Sequence, residues 1–285
     1  MQDFAYHTPA TLKEAAGLLA QHADSAKLAS GGTSLAILLK QSLITPEHII
    51  SLHKVAGAAG ISAKGGALTI GGMTTQRAME TSADVRKSAP LLANAYSRVA
   101  TVRIRNAATV GGGLAHADPA MDPPPSLLVL DASVRLVSAS GERTVPIGEF
   151  YADYYETVAE PDEIVAGLSV PAQPQGEWVY TKYLPRTEDD YATVSVAALG
   201  RVEGGKVAEV RVGLGAVAPT ALRASVVEDA LRGEKPTPAA VREAAALVAD
   251  IVDPTSDVRG SADYKREMAV VFTRRALERV LGVKA

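Results

Sequence analysis

The segment Thr109-Val-Gly-Gly-Gly-Leu-Ala-His-Ala-Asp-Pro-Ala-Met-Asp122 constrains the fold more than any other, because three consecutive glycines run straight into a polar stretch. Without Cβ atoms the backbone adopts positive φ freely and lets another molecule approach closely. Exposed N–H groups in such a segment can form a nest for an anion. His116, Asp118 and Asp122 follow at once, polar side chains that a plain connection does not require. Taken alone, the segment also reads as a flexible turn with a solvated acidic end, since glycine clusters commonly mark loops. A second glycine turn upstream shifts the balance.

That turn is Ser30-Gly-Gly-Thr-Ser34, and its surroundings predict a β-α-β unit. Thr11-Leu-Lys-Glu14 fits a capping box, and Leu12, Ala15, Ala16 and Leu19 recur at helical spacing. Lys27 to Ala29 reads as a strand, Leu35 to Lys40 as a helix and His48 to Leu52 as the next strand. A strand feeding a glycine turn that opens a helix is a phosphate-binding geometry, because the helix dipole adds to the free N–H groups. The plainer alternative is a connection whose glycines only turn the chain.

Further on, the pattern predicts a strand over Ala67 to Ile70, a Gly71-Gly72 turn, a helix around Thr75 to Thr81 and a longer one over Ser88 to Ala100. Val102 to Asn106 leads into the central glycines, and Asp122 is placed to cap the segment opened by Pro123-Pro124-Pro125. Val134, Leu136 and the turn at Ser140-Gly141 suggest a hairpin, and Ile164, Ala166, Leu168 and Val170 alternate as a half-buried strand does. Pro171 to Gly176 reads as a linker. Beyond it come three strands, Trp178 to Tyr183, Thr193 to Arg201 and Lys206 to Ala216, with a hairpin turn at Gly204-Gly205. Three helices follow: about Ala221 to Arg232, one starting at Thr237-Pro238, and one from Ser261 that buries Met268, Val271, Phe272, Ala276 and Val280. Strands followed by helices make this part α+β.

Composition excludes several classes. A net charge of −3 argues against a nucleic-acid-binding surface, and zero cysteines exclude disulfides, cysteine nucleophiles and cysteine-ligated iron–sulfur clusters from the 285 residues. No apolar run reaches the roughly 18 residues of a spanning helix, and Met-Gln-Asp-Phe does not open like a secretory signal. The expectation is a cytoplasmic protein with no membrane insertion. Gly213-Leu-Gly215-Ala-Val-Ala218 matches the G-x-G-x-x-A dinucleotide pattern, but Pro219 follows and no acidic residue ends a second strand about twenty positions later, so it reads as a decoy.

Leu28-Ala-Ser-Gly-Gly-Thr-Ser-Leu35, Val102-Arg-Ile-Arg-Asn106 leading into Thr109 to Asp122, and Lys182-x-x-x-Arg186-x-x-x-Asp190-Tyr-Ala192 together resemble the FAD-binding medium subunit of the xanthine dehydrogenase and carbon monoxide dehydrogenase family of molybdenum hydroxylases. The resemblance runs along essentially the whole chain. It implies an α+β protein: a two-subdomain FAD-binding domain of the vanillyl-alcohol-oxidase type at 1–173 (subdomains about 1–55 and 56–173), then a C-terminal domain at 177–285 of a three-stranded antiparallel sheet plus three helices. Ser30 stands where alanine or glycine is usual, Gly113 where many relatives have asparagine or serine, and the proline run is richer than the family pattern.

The same resemblance implies the site. The two glycine segments donate backbone N–H groups to the FAD pyrophosphate from opposite sides: Ala29, Ser30, Gly31, Gly32, Thr33, Ser34 and Leu35 on one, Thr109, Val110, Gly111 and Gly112 on the other. Thr33, Ser34 and Thr109 add hydroxyl donors. Asp122 sits where the family binds the sugar-like part of the cofactor, with His116 and Asp118 as loop-shaping neighbours. Lys182 is placed near the flavin, where a cation stabilises negative charge on the reduced ring, and Tyr191 matches an aromatic position against that ring. A solvated lysine and a packed tyrosine are the plainer alternatives. No catalytic residue and no metal ligand is expected in this chain. Partners would carry the rest: a small subunit with two 2Fe–2S clusters, a large subunit with the molybdenum cofactor, and an external electron acceptor. The competing functions are a free-standing FAD-dependent oxidoreductase and a flavin-free scaffold.

Overall fold

A computed structural model describes residues 3–284, which form sheets of three, five and four strands and one two-stranded ribbon. The first sheet is parallel, in the order β1-β3-β2, built from β1 (Ala5–His7), β2 (Ala26–Ala29) and β3 (His48–Ser51). Helix α1 (Leu12–His22) covers it with Ala15, Ala16 and Leu19. The start of α1 is fixed as its sequence predicts: the Glu14 amide donates to Thr11 Oγ1 (3.1 Å) and the Glu14 carboxylate accepts from the Ala10 amide (2.7 Å). The Ser30–Ser34 turn joins β2 to α2 (Leu35–Lys40).

The second sheet is antiparallel, β4-β5-β10-β6-β7, with β4 (Ile61–Lys64), β5 (Ala67–Gly71), β6 (Ser133–Val137), β7 (Glu142–Pro146) and β10 (Ile164–Val170). Its last-made strand is its middle one: Leu168 pairs with Ile70 of β5 and with Val134 of β6. Six helices lie between β5 and β6: α3 (Gln76–Thr81), α4 (Ala83–Ser88), α5 (Pro90–Ser97), α6 (Val102–Ala107), α7 (Val110–His116) and α8 (Pro123–Val129). The single helix expected over Ser88 to Ala100 is thus preceded by α4, with a break at Ala89 (φ −147°, ψ 65°), because a residue before proline is driven out of the α region. The predicted hairpin at Ser140-Gly141 forms as β6–β7, after which α9 (Ile147–Phe150) leads to the ribbon of β8 (Tyr151–Asp153) and β9 (Glu156–Thr157).

The third sheet has the expected β11 (Glu177–Tyr183), β12 (Val194–Glu203) and β13 (Lys206–Gly215), plus a two-residue edge strand, β14 (Leu222–Arg223), so it is four-stranded rather than three-stranded. Pairing of β14 delays α10 to Ser225–Leu231, where the sequence suggested Ala221. Helices α11 (Pro238–Ala246) and α12 (Ala262–Val280) complete the cover. The buried stripe of α12 is Ala269, Thr273, Ala276, Leu277 and Val280; Met268, Val271 and Phe272, expected inside, are half-buried on its flank.

Strand β12 joins the two halves of the molecule through its alternation. Ala197 and Leu199 belong to the core shared with Leu92, Tyr96, Leu127 and Leu136, whereas Val194, Val196 and Ala198 face the helical layer with Val241 and Leu277. The decoy glycines lie in β13 and have a packing reason: a Cβ on Gly213 would stand 2.3 Å from Pro125 O, and one on Gly215 2.8 Å from Pro125 Cγ. Among the described residues no helix is long and apolar enough to cross a membrane.

Candidate functional site

The two glycine segments meet. Thr109 Oγ1 donates to Ser30 Oγ at 3.1 Å, and the backbones interlock where side chains are missing. A Cβ on Gly31 would stand 2.2 Å from Ala107 O, and one on Gly112 2.4 Å from Ser30 Oγ. Both glycines are therefore required by close approach.

The two segments differ in what they offer a ligand. Gly32 has φ +70°, and a Cβ there would meet open space. The amides of Gly32, Thr33 and Ser34 donate to no group among the described residues, and Ser34 leads into α2 with no side-chain capping bond. This is the donor-lined turn that the sequence suggested. The central glycines are different: Gly111, Gly112 and Gly113 lie in the first turns of α7, none with positive φ. Their amides are used internally, Gly111 to Gly72 O (2.8 Å), Gly112 to Thr109 Oγ1 (3.1 Å) and Gly113 to Thr109 O (2.9 Å), while the Val110 amide donates to Thr74 O (2.9 Å). The expectation of amide donors on both sides is corrected accordingly. Thr109 is an N-cap whose hydroxyl is already engaged at both ends, and this second segment forms a wall against which the first turn rests. Beside Gly113, buried Gln76 presents Oε1 without a partner among the described residues.

A second group gathers around Asp122. Its carboxylate accepts from Tyr180 Oη at 2.6 Å and from Lys182 Nζ at 3.0 Å, and Lys182 also donates to Arg98 O at 2.8 Å. Both side chains of the ion pair are about 5% exposed or less (5% for Lys182, 4% for Asp122), so Lys182 is not a solvated strand lysine. Asp122 precedes α8 but makes no capping bond, which corrects that expectation: its oxygens are turned to β11 instead. Burial pushes the Asp122 carboxyl up to about 6, against the opposing pull of Lys182 and Tyr180.

The third group holds the remaining predicted residues. Asp118 Oδ1 accepts from the Ala120 amide (2.9 Å) and Oδ2 from Tyr155 Oη (3.2 Å), and the His116 ring lies 5.5 Å from the Tyr155 ring. Burial, then the Asp118 charge, pushes up the phenols of both Tyr155 and Tyr191. Tyr191 is 41% exposed with the Arg259 guanidinium 5.4 Å over its ring, so it is not a packed core tyrosine. An open cleft of about 440 Å³ lies between α5, α6 and the segment after β11, lined by Arg98, Thr101, Arg105, Glu188 and Asp189 among others. Sequence reasoning missed Tyr180, Tyr155 and Gln76. Only Tyr180 carried a usable signal, since it sits two residues from Lys182 and so shares its face of the strand.

Comparison with known proteins places these features in context. Residues 2–173 match the family model of the FAD binding domain in molybdopterin dehydrogenase, and residues 179–280 match that of the CO dehydrogenase flavoprotein C-terminal domain. The chain is 38% identical over 275 residues to the carbon monoxide dehydrogenase medium chain of Hydrogenophaga pseudoflava, covering 96% of each. It is 31% identical to the xanthine dehydrogenase FAD-binding subunit of Escherichia coli O157:H7, covering 99% of this chain and 98% of that one. Among solved structures, carbon monoxide dehydrogenase from H. pseudoflava lacking the Mo-pyranopterin moiety superposes with a TM-score of 0.95 at 39% identity, covering 99% of this chain and 98% of that one. Quinoline 2-oxidoreductase from Pseudomonas putida 86 superposes with a TM-score of 0.93 at 32% identity, with the same coverage.

Proposed function

Because the chain belongs to the family of FAD-binding medium subunits of molybdenum hydroxylases, we propose that it binds FAD through the Ser30–Ser34 turn and serves as the electron-transfer subunit of such a complex. When bound, FAD would supply the redox chemistry, accepting electrons from the 2Fe–2S clusters of a small subunit and passing them to an external acceptor. A large subunit with the molybdenum cofactor would carry out hydroxylation. The similar proteins are named as medium chains or subunits, which favours this reading over a free-standing oxidoreductase or a flavin-free scaffold.

The observation that carries the proposal is the set of free amides at Gly32, Thr33 and Ser34, held in place by the wall at Thr109 to Gly112. Those amides and the hydroxyls of Thr33 and Ser34 take the pyrophosphate, a ligand that such a nest suits. Ala29 and Leu35 flank the turn, and Ser30, Gly31, Thr109, Val110, Gly111 and Gly112 shape it. Asp122, both of whose oxygens are bonded within the protein, acts as a positioning residue that holds Lys182. We assign His116, Asp118 and Tyr191 to the rim of the cofactor site. The FAD-binding domain is assigned to 1–173, with subdomains about 1–55 and 56–173, and the C-terminal domain to 177–285, a division supported by the two family matches. A cytoplasmic location completes the proposal.

The test is an absorbance spectrum of the purified chain after FAD addition and desalting, beside that of Gly32→Val. Retained flavin bands in the parent and their loss in a variant with unchanged far-UV circular dichroism are expected. A folded parent that retains no flavin even in the assembled complex overturns the assignment.

A further inference from the structure

Three of the chain's five histidines converge at a place the flavin site does not use. His7 ends β1, His48 opens β3 and His22 ends α1. The topology brings them together. In the parallel β1–β3 pair, Ala5 lies opposite His48 and His7 opposite Ile50, so His7 and His48 share the face on which buried Ile50 meets α1. Helix α1 runs back along that face, which puts its C-terminal residue over the start of β3. The cluster therefore lies at the end of the sheet where β2 and β3 begin, whereas the Ser30–Ser34 turn follows the end of β2.

The geometry is tight. His7 Nε2 is 3.0 Å from His48 Nδ1, the rings of His22 and His48 stack at 3.6 Å between centroids, and one ring nitrogen from each histidine lies within 4.8 Å of the others. All three residues are half-buried. Among the described residues no carboxylate is hydrogen-bonded to any of the three, so their ring nitrogens are taken up only by one another. A tetrahedral ion with metal–nitrogen bonds of about 2.0–2.1 Å holds its ligand atoms about 3.3–3.4 Å apart. The His7–His48 pair, at 3.0 Å, lies a few tenths of an ångström inside that spacing, so a slight opening of the pair that turns both nitrogens toward one point, together with a rotation of His22, completes the set.

We propose that His7, His22 and His48 form a binding site for a divalent transition-metal ion of the zinc type, with three imidazole ligands and a fourth position open to water. Imidazole suits Zn, Cu, Ni and Fe over Mg and Ca, which require oxygen ligands. The ion would pin the end of α1 to both strands and so brace the sheet that carries the Ser30–Ser34 turn.

The test is a titration of the untagged full-length chain with Zn(II) by calorimetry and with Co(II) by visible absorption, at pH 8 in a non-chelating buffer. One equivalent should bind, with the d–d bands of a tetrahedral nitrogen-ligated Co(II) site. Loss of a second-shell group costs a metal site about 10- to 100-fold in affinity, so His22→Ala and His7→Ala should each weaken binding by at least about 100-fold. His53→Ala should leave affinity unchanged. His22 is the last residue of α1 and half-buried, and folding of its variant is checked by circular dichroism and by retention of added FAD. Absence of stoichiometric binding to the parent, or equal affinity in the parent and in folded His22→Ala, overturns the proposal.

Discussion

Lys182 Nζ sits 3.0 Å from Asp122 Oδ2, so a strand of the C-terminal sheet and the entry to α8 are joined by a buried ion pair. Removing one member leaves the other charge buried without compensation, which typically costs about 3–5 kcal/mol. Lys182→Met should therefore destabilise the protein by about 3 kcal/mol in urea unfolding at pH 7. The double variant Asp122→Asn, Lys182→Met should recover part of that loss, and strictly additive effects would count against the pair acting as a unit.

The pH dependence of Asp122 runs opposite to that of a surface aspartate. Burial raises its pKa from the ordinary 3.8 to about 6, so between those values the folded state holds a proton that the unfolded chain has released. Its stabilising contribution is complete below about pH 4 and is lost as pH rises through 6. At about 1.4 kcal/mol per unit, the stability of the parent relative to Asp122→Asn should fall by roughly 2 kcal/mol between pH 4 and pH 7. A difference that does not vary with pH would sink this account.

Gly31 and Gly32 are adjacent but should respond differently to alanine. At Gly31 the new Cβ meets backbone atoms of Ala107 and Ala108 within 2.8 Å, which cannot give way without parting the two segments. At Gly32 it meets only open space, and the cost is the left-handed φ, about 1–2 kcal/mol. Thermal melts should show Gly31→Ala as the more damaging variant, and Gly32→Ala as one that stays folded and loses FAD affinity.

Thr109 Oγ1 both caps α7 and donates to Ser30. Thr109→Val removes the cap at a cost of about 1 kcal/mol and releases the Ser30 hydroxyl. Faster FAD dissociation than in Ser30→Ala is expected, because Ser30→Ala leaves the cap intact. Stopped-flow flavin fluorescence measures both rates.

Features set by neighbouring residues were legible in the sequence. The Thr11 cap, the Ser30–Ser34 turn between strand and helix, and the Gly204-Gly205 hairpin all depend on a few adjacent positions, and all are present. Features set across the chain were not. The partners of Asp122 lie 58 and 60 residues away, so its carboxylate read as a helix cap when it faces β11. Gly111 to Gly113 read as a flexible nest because glycine signals freedom; the actual reason is that Gly72 and Val165 press against Gly111, Ser30 against Gly112 and Gln76 against Gly113, which no local pattern records. On α12, one step of helical phase separates Met268 from Ala269, and only the position of β12 decides which faces inward.

The position of β10 sets an order on the making of this protein. The strand pairs with β5 and β6 on either side, and Val165 O lies against Gly72 and Gly111. During synthesis, neither β5 nor β6 can take its native inner partner until residues 164–170 leave the ribosome. The wall behind the Ser30–Ser34 turn is thus closed by the last strand of its own sheet to be translated, and a chain stopped short of Ile164 would lack the partner of both β5 and β6 and leave their edges ready to pair with other chains.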